Sequence, residues 1–271
     1  MDRMRHSWEV VARVQSEGDA HPQEDGCGFA GPDAWIIDGA TTLLEPLGLP
    51  AATDPQWLTQ ALTTSLSRVG TGEMSGSLSA RDRLAAAIRR IDAVAQPLVG
   101  GERLRFPSAA VSLAHLNDDG LEIASLADCR VVVRGREGGT SVVLAEPADR
   151  RVEAELSAQD PDPEERLRLL RRDRELRNTD GNLWVARREP EAAQHAEVVR
   201  LPRPALVALV SDGAWRAVEL ALVSSPEEFL DRVSTPVGAL ETLTELRREQ
   251  ARIGEVADDA TVLVLRPAAL D

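Results

Sequence analysis

The sequence predicts an α+β fold, on three observations. Strand-like apolar runs stand near both ends of the chain, two helical stretches follow one another between Asp54 and Ala95, and four short β-like runs separated by turns fill residues 109–144. Strands and helices segregated in this way suit antiparallel sheets with helices packed on their faces.

Taken in order, residues 8–14 have strand composition and lead into a polar loop over 15–25 that holds Gly18, Asp19, His21, Glu24 and Asp25. Residues 27–30 and 34–37 read as two short strands turned through Gly31-Pro32-Asp33, and Asp38-Gly39 follows the second. Between 54 and 69, Trp57, Leu58, Ala61, Leu62 and Leu66 keep helical spacing, with Asp54 as N-cap and Pro55 in the first turn. A Gly- and Ser-rich loop leads to a second helix from Ala80 to about Ala95, which Pro97 ends.

The block from 109 to 144 reads as an antiparallel meander of runs 109–116, 121–126, 131–136 and 141–144, with Asp128 in its middle turn. Residues 164–177 form a helix rich in Arg and Glu, read as a solvated face, and the stretch to Gln194 is irregular. Strands return at 198–201 and 205–211. Helices cover 214–222, 226–233 and 237–253, and a last strand covers 260–265.

Of 271 residues, 43% are hydrophobic and only 3% aromatic, with no Tyr, so the expected core is aliphatic. Asp and Glu total 45 against 31 basic residues, all of them Arg, for a net charge of -14. Such a balance argues against a general nucleic-acid binder, because phosphate backbones are repelled, and it concentrates cations at the surface. Cys27 and Cys129 are too few for a disulfide framework or a zinc cluster. The first ten residues lack an apolar core of signal-peptide length, and the later apolar runs are about strand length. A cytoplasmic protein without a membrane partner is the expectation.

Carboxylates recur where strands end: the pair Glu24-Asp25, then Asp38, Asp128, Asp212, and the pair Asp258-Asp259. Two carboxylates ~4 Å apart repel by roughly 4 kcal/mol at an effective dielectric near 20, so a cluster of them requires a counter-charge. An all-oxygen set with no Cys or His ligand suits a hard ion, Mg²⁺ or Mn²⁺, better than zinc. Two such ions lower the pKa of a shared water and aim it at phosphorus. If these distant turns meet, residues 1–271 form a single domain.

Asp38-Gly39 after a strand, Ala127-Asp128-Cys129-Arg130, Leu209-Val210-Ser211-Asp212-Gly213 and Asp258-Asp259-Ala260-Thr261-Val262, in that order, resemble the motifs of the PP2C-type metal-dependent protein phosphatases. Glu24-Asp25 matches the acidic pair that family carries upstream. The resemblance runs from Trp8 to Arg266 and implies a four-layer α/β/β/α sandwich of two antiparallel sheets flanked by antiparallel helices. It also implies a centre of two Mn²⁺ or Mg²⁺ ions. In that reading Asp38 bridges the ions, Gly39 offers its carbonyl to one, Asp212 and Asp258 complete the other, and Glu24 and Asp25 hold waters at the centre. Asp128 matches a position used for a third ion.

Three departures stand beside the resemblance. Ala40-Thr41-Thr42 follow Asp38-Gly39 where the family has His or Met and then Gly-Gly, so no proton donor stands there. Ala20 occupies the place of the family's phosphate-gripping Arg, leaving His21, Arg130, Arg177 and Arg216 as candidates to meet a phosphate, with Arg216 best placed. Asp259 stands where an Asn is usual. The resemblance implies hydrolysis of phosphoserine or phosphothreonine in proteins by a water bridging the two ions. A phosphatase of small phosphorylated metabolites and a non-catalytic binding module are the alternatives.

Overall fold

The structure, a computed structural model, describes residues 6–40, 44–71, 78–145 and 162–269. Strands β1 (Trp8–Ser16), β2 (Gly26–Ala30) and β3 (Asp33–Gly39) precede helices α1 (Asp54–Thr71) and α2 (Ala80–Val99). Strands β4 (Ala109–Asn117), β5 (Gly120–Leu126), β6 (Arg130–Gly135) and β7 (Thr140–Leu144) follow. Helix α3 (Pro163–Leu176) and a 3₁₀ turn (Pro190–His195) lead to β8 (Glu197–Leu201) and β9 (Pro204–Val210). Helices α4 (Asp212–Glu219), α5 (Pro226–Val233) and α6 (Pro236–Ile253) precede β10 (Ala260–Pro267).

The strands make two antiparallel five-stranded sheets, β1-β10-β9-β6-β7 and β2-β3-β4-β5-β8. Because successive side chains on a strand point to opposite faces, a sheet buried on both sides needs nearly continuous apolar runs. Ala34 and Ile36 of β3 pack between the sheets with Val131, Val133, Leu209, Leu263 and Leu265. Their neighbours Trp35 and Ile37 face the other way, against Leu58, Leu62, Leu84 and Ile88 of α1 and α2. On the far side Val132, Val210, Val262 and Val264 meet Trp215, Phe229, Leu230 and Leu246 of α4, α5 and α6. The result is the α+β sandwich of four layers, helix, sheet, sheet, helix. No helix among the described residues is long and apolar enough to cross a membrane.

Three local expectations are corrected. The block 109–144 is not one meander, since β5 and β6 lie in different sheets. Ala127-Asp128-Cys129 carries the chain across, with Ala127 at a positive φ of 60°, a conformation a β-carbon disfavours. Pro97 does not end α2, which continues to Val99. One missing N–H in the last turn leaves only one carbonyl unbonded, and Gly100 N–H closes the turn on the Gln96 carbonyl at 3.0 Å. Thr53, not Asp54, caps α1, its Oγ1 accepting from Gln56 N–H, while the Asp54 carboxylate accepts from the N–H groups of Leu47 and Leu49.

At the start of β3 the buried Asp33 carboxylate accepts from Arg83 Nη1 at 2.7 Å and sits 2.8 Å from His115 Nδ1. Removing the acid would strand a buried guanidinium, so Asp33→Ala is expected to destabilise by about 3–5 kcal/mol in urea unfolding. Its site lies at the opposite end of β3 from Asp38. A loss below about 1 kcal/mol would show that the pair contributes nothing net.

Candidate metal centre

The far end of β3 meets the ends of three other strands at one edge of the sandwich. Asp38 is the penultimate residue of β3, and Asp212 is the first residue of α4, separated from β9 in the opposite sheet only by Ser211. The Asp212 N–H reaches Asp38 Oδ2 at 3.4 Å, linking the two sheets. Ser211 N–H donates to the Thr261 carbonyl at 3.1 Å and Thr261 N–H donates to Ser211 Oγ at 2.9 Å, fixing the end of β9 against the start of β10. The hydroxyls of Ser211 and Thr261 hydrogen-bond the Asp25 carboxyl, which brings the loop before β2 to the same place.

That loop is laced to the residues before β10. Asp259 accepts Gly18 N–H at 2.8 Å and Glu24 N–H at 2.5 Å, and Asp19 exchanges hydrogen bonds with the backbone of Ala257. Two glycines permit the close packing. A β-carbon on Gly39 would lie 2.7 Å from the Glu24 carbonyl oxygen, and one on Gly213 would lie 2.0 Å from that of Asp259. The glycine after each Asp is therefore required by a neighbouring backbone. Gly213→Ala is expected to push Asp258-Asp259 off α4 and destabilise by about 3 kcal/mol. A thermal melt indistinguishable from wild type would contradict that packing.

The gathered acids resist ionisation. Asp38 is held well above the usual carboxylate range by burial, then by Asp212, Asp25 and Asp128. Burial, against the Thr261 and Ser211 hydroxyls, pushes Asp25 up to about 7, with Asp259 and Asp212 adding to the effect. Asp212 rises to about 6 through burial, with Asp128 and Asp258 raising it and Asp38 and Arg130 acting the other way. Glu24, 2% exposed, is raised mainly by burial. The buried Cys129 thiol is pushed far up by burial and by the same four aspartates, which places it beside them as an inert neighbour.

Glu24 Oε2 and Asp25 Oδ2 are buried and accept no hydrogen bond. Buried carboxylate oxygens without donors are what a cation would satisfy, and a donor set made only of oxygen suits Mn²⁺ or Mg²⁺. Among the described residues no three His, Cys, Asp or Glu side chains already stand together as a chelate. In place of one, the Asp38 and Asp212 carboxyls lie close enough for each to shift the pKa of the other.

Asp25, Asp38, Asp128 and Asp212 thus share one electrostatic cluster, with Glu24 and Gly39 at its side. Asp258 lies at its rim, its side chain 58% exposed, while Asp259 is 3% exposed and ties down the loop. His21 stands 3.7 Å from Glu24, 3.8 Å from Asp258 and 3.9 Å from Asp259. Burial opposes its charge, but the Pro22 carbonyl and these three acids outweigh it, so its pKa is raised.

Arg216, expected as the best-placed candidate to meet a phosphate, is held by two acids. Glu255 holds its guanidinium through Nε at 3.0 Å and Nη2 at 2.8 Å, and Glu219 takes Nη1 at 3.2 Å. It pins α4 to the segment after α6 and touches none of the clustered aspartates. Arg130 is nearer, with Nη1 on the Asp128 carbonyl at 3.0 Å and its guanidinium over Trp215. Ser211, Thr261 and Thr53, which bond the acids, carried no sequence signal beyond being small hydroxyls beside a motif.

No family model matches the chain, and no curated protein does. Solved structures do. The serine/threonine phosphatase PstP/Ppp of Mycobacterium tuberculosis is 18% identical, with 97% of this chain and 98% of that one covered at a TM-score of 0.58. The catalytic domain of PstP in complex with two manganese ions is 19% identical, covering 98% and 99% at 0.57. The S. agalactiae serine/threonine phosphatase is 14% identical, covering 96% and 99% at 0.59. The fold of this chain is the fold of these bacterial PP2C-type phosphatases.

Proposed function

We propose that this chain is a metal-dependent phosphomonoester hydrolase acting on phosphoserine or phosphothreonine in proteins, with residues 1–271 as one catalytic unit. The observation that carries the reading is the meeting of Asp25, Asp38, Asp128 and Asp212 from separate strand ends in one cluster, with Asp25 buried and the other three half-buried. Two structures of the same fold are serine/threonine phosphatases, and a third is a complex with two manganese ions.

Two Mn²⁺ or Mg²⁺ ions would supply a Lewis acid, a water of lowered pKa and charge neutralisation for the transferring phosphoryl group. Asp38, the Gly39 carbonyl, Asp212 and Asp258 would hold them, with Asp128 available to a third. Glu24 Oε2 and Asp25 Oδ2, which have no donors of their own, would hold and orient waters and take up the proton of the attacking one. His21, whose pKa is raised among these acids, brings positive charge to the rim where a phosphate enters. Ala40 offers no proton, so the leaving oxygen takes its proton from solvent.

The test is Mn²⁺- or Mg²⁺-dependent hydrolysis of p-nitrophenyl phosphate and of a phosphothreonine peptide. Turnover of the peptide supports the proposal. Turnover of phosphorylated metabolites in preference to peptides would move the substrate to small molecules, and no turnover with either metal would overturn the enzymatic reading.

A further inference from the structure

Beside the metal ions, a phosphate needs a donor that orients its non-reacting oxygens, and Arg216 is engaged elsewhere. Next to the cluster stands a set of arginines that no motif marks. Ala40, two residues past Asp38, donates its N–H to the Ser108 carbonyl at 2.9 Å. The hydroxyl of the same buried Ser108 accepts from Arg177 Nη1 at 2.6 Å and from Arg174 Nη1 at 3.4 Å. Two guanidiniums from the C-terminal end of α3 therefore converge on a residue bonded to the backbone that carries Asp38 and Gly39.

Behind them lies Arg187, fully buried, whose Nη1 donates to the Arg174 carbonyl at 3.5 Å and whose Nη2 donates to the Arg103 carbonyl. Arg174 is 6% exposed and pushed down to about 9 by burial, then by Arg177 and Arg187, while Asp173 and Glu24 act the other way. The influence of Glu24 puts Arg174 within electrostatic reach of the acid cluster itself. Guanidiniums are seldom crowded and desolvated together unless an anion is to be met.

Arg177 has the donors to meet one. Its Nε lies 2.9 Å and its Nη2 2.8 Å from one Asp173 carboxylate oxygen, and Nη1 is on Ser108. Of the five N–H groups of a guanidinium, this leaves one on each terminal nitrogen, the spacing that fits two oxygens of a phosphate. Ser108 and Asp173 meanwhile hold the fork still.

We propose that Arg177, with Arg174 behind it, is the phosphate-binding arm of this site, its two remaining N–H groups taking non-reacting oxygens of a phosphomonoester dianion. This rests on the phosphohydrolase reading and supplies from α3 the cation that Ala20 does not. A structural pin for α3 is the competing role, and the two differ in what they move. A pin changes stability, whereas a phosphate arm changes KM and phosphate affinity.

The experiment uses the full chain with Mn²⁺ and compares wild type with Arg177→Met and Arg177→Lys. For Arg177→Met we expect KM for p-nitrophenyl phosphate and the inhibition constant for inorganic phosphate to rise by about tenfold or more. The kcat and the Mn²⁺ titration midpoint should stay near wild type, the pattern of binding lost equally from ground and transition states. Arg177→Lys should recover part of the loss, having the charge without the fork. Unchanged KM and phosphate affinity in folded Arg177→Met, or a lowered melting temperature with no change in either, overturns the proposal. Should Arg177→Met not fold, Ser108→Ala, which frees the guanidinium, must raise KM, and a wild-type KM there overturns it equally. If the wild type hydrolyses nothing, the function reading fails, and calorimetric titration with inorganic phosphate decides this one: binding no tighter than in Arg177→Met, or than in Ser108→Ala where Arg177→Met does not fold, sinks it.

Discussion

Asp38→Asn is expected to remove turnover while making the metal-free protein more stable. The Asp38 carboxyl sits among Asp212, Asp25 and Asp128, and burial together with those charges holds it well above its ordinary pKa. Near neutral pH the fold therefore favours a neutral group at this position, and Asn supplies one of the same shape. Relief from the repulsion should be worth about 1–3 kcal/mol in urea unfolding at about pH 8. At about pH 2.5, where the acid is protonated in folded and unfolded chains alike, the gain should vanish. Hydrolysis should fall by roughly three orders of magnitude or more, because an amide brings no charge with which to hold the cations. Stabilisation by Mn²⁺ should be lost with it. A variant that is less stable than wild type at both pH values would instead make Asp38 a structural carboxylate, and one that keeps turnover would remove it from the centre.

The element order and the acid positions were legible because both are local. An apolar run that stops at an acid marks a strand end wherever the strand later goes, and Asp38, Asp128 and Asp212 each follow such a run. What the residues do not encode locally is which sheet a strand joins. The link Ala127-Asp128-Cys129 has no glycine or proline to announce a crossing, and only the left-handed Ala127 makes one. The pair Asp258-Asp259 shows the same limit at finer scale, since one residue is exposed and the next buried. Which of the two points inward depends on the register of β10, which the sequence does not display.

Long-range partners explain the remaining differences. Arg216 is placed well by helical periodicity, but Glu255, thirty-nine positions on, claims it. The charge run on α3 looks like a solvated face, because Ser108, the acceptor that draws Arg177 and Arg174 inward, lies far upstream. A charged residue is judged solvated by default, and only the tertiary partner reverses the judgement.

The metal-free protein is expected to lose stability as pH rises from about 4 to about 7, and divalent cations to restore it over the same interval. In the folded chain the Asp25 carboxyl is pushed up to about 7 and that of Asp212 to about 6, with Asp38 and Glu24 raised as well. The unfolded values lie near 4. Between the two values the folded chain binds more protons than the unfolded one, so stability falls with pH by up to about 1.4 kcal/mol per unit for each such group. The contribution of Asp25 and Asp212 is complete below about pH 4 and gone above about pH 7, and Asp38 and Glu24 add to it with the same sign. His21, also raised, acts with the same sign at slightly higher pH. Glu228 and Glu255, lowered to about 2, have the opposite sign, but their window lies below that of the cluster. A cation entering the cluster must displace the same protons, so Mn²⁺ affinity should rise with pH, by about tenfold or more between about pH 5.5 and pH 7.5. Thermal melts with and without Mn²⁺ at those two values check both halves. An equal Mn²⁺ shift at both would mean that the ion is held by groups that carry no proton, such as backbone carbonyls, and these acids would then lose their place as ligands.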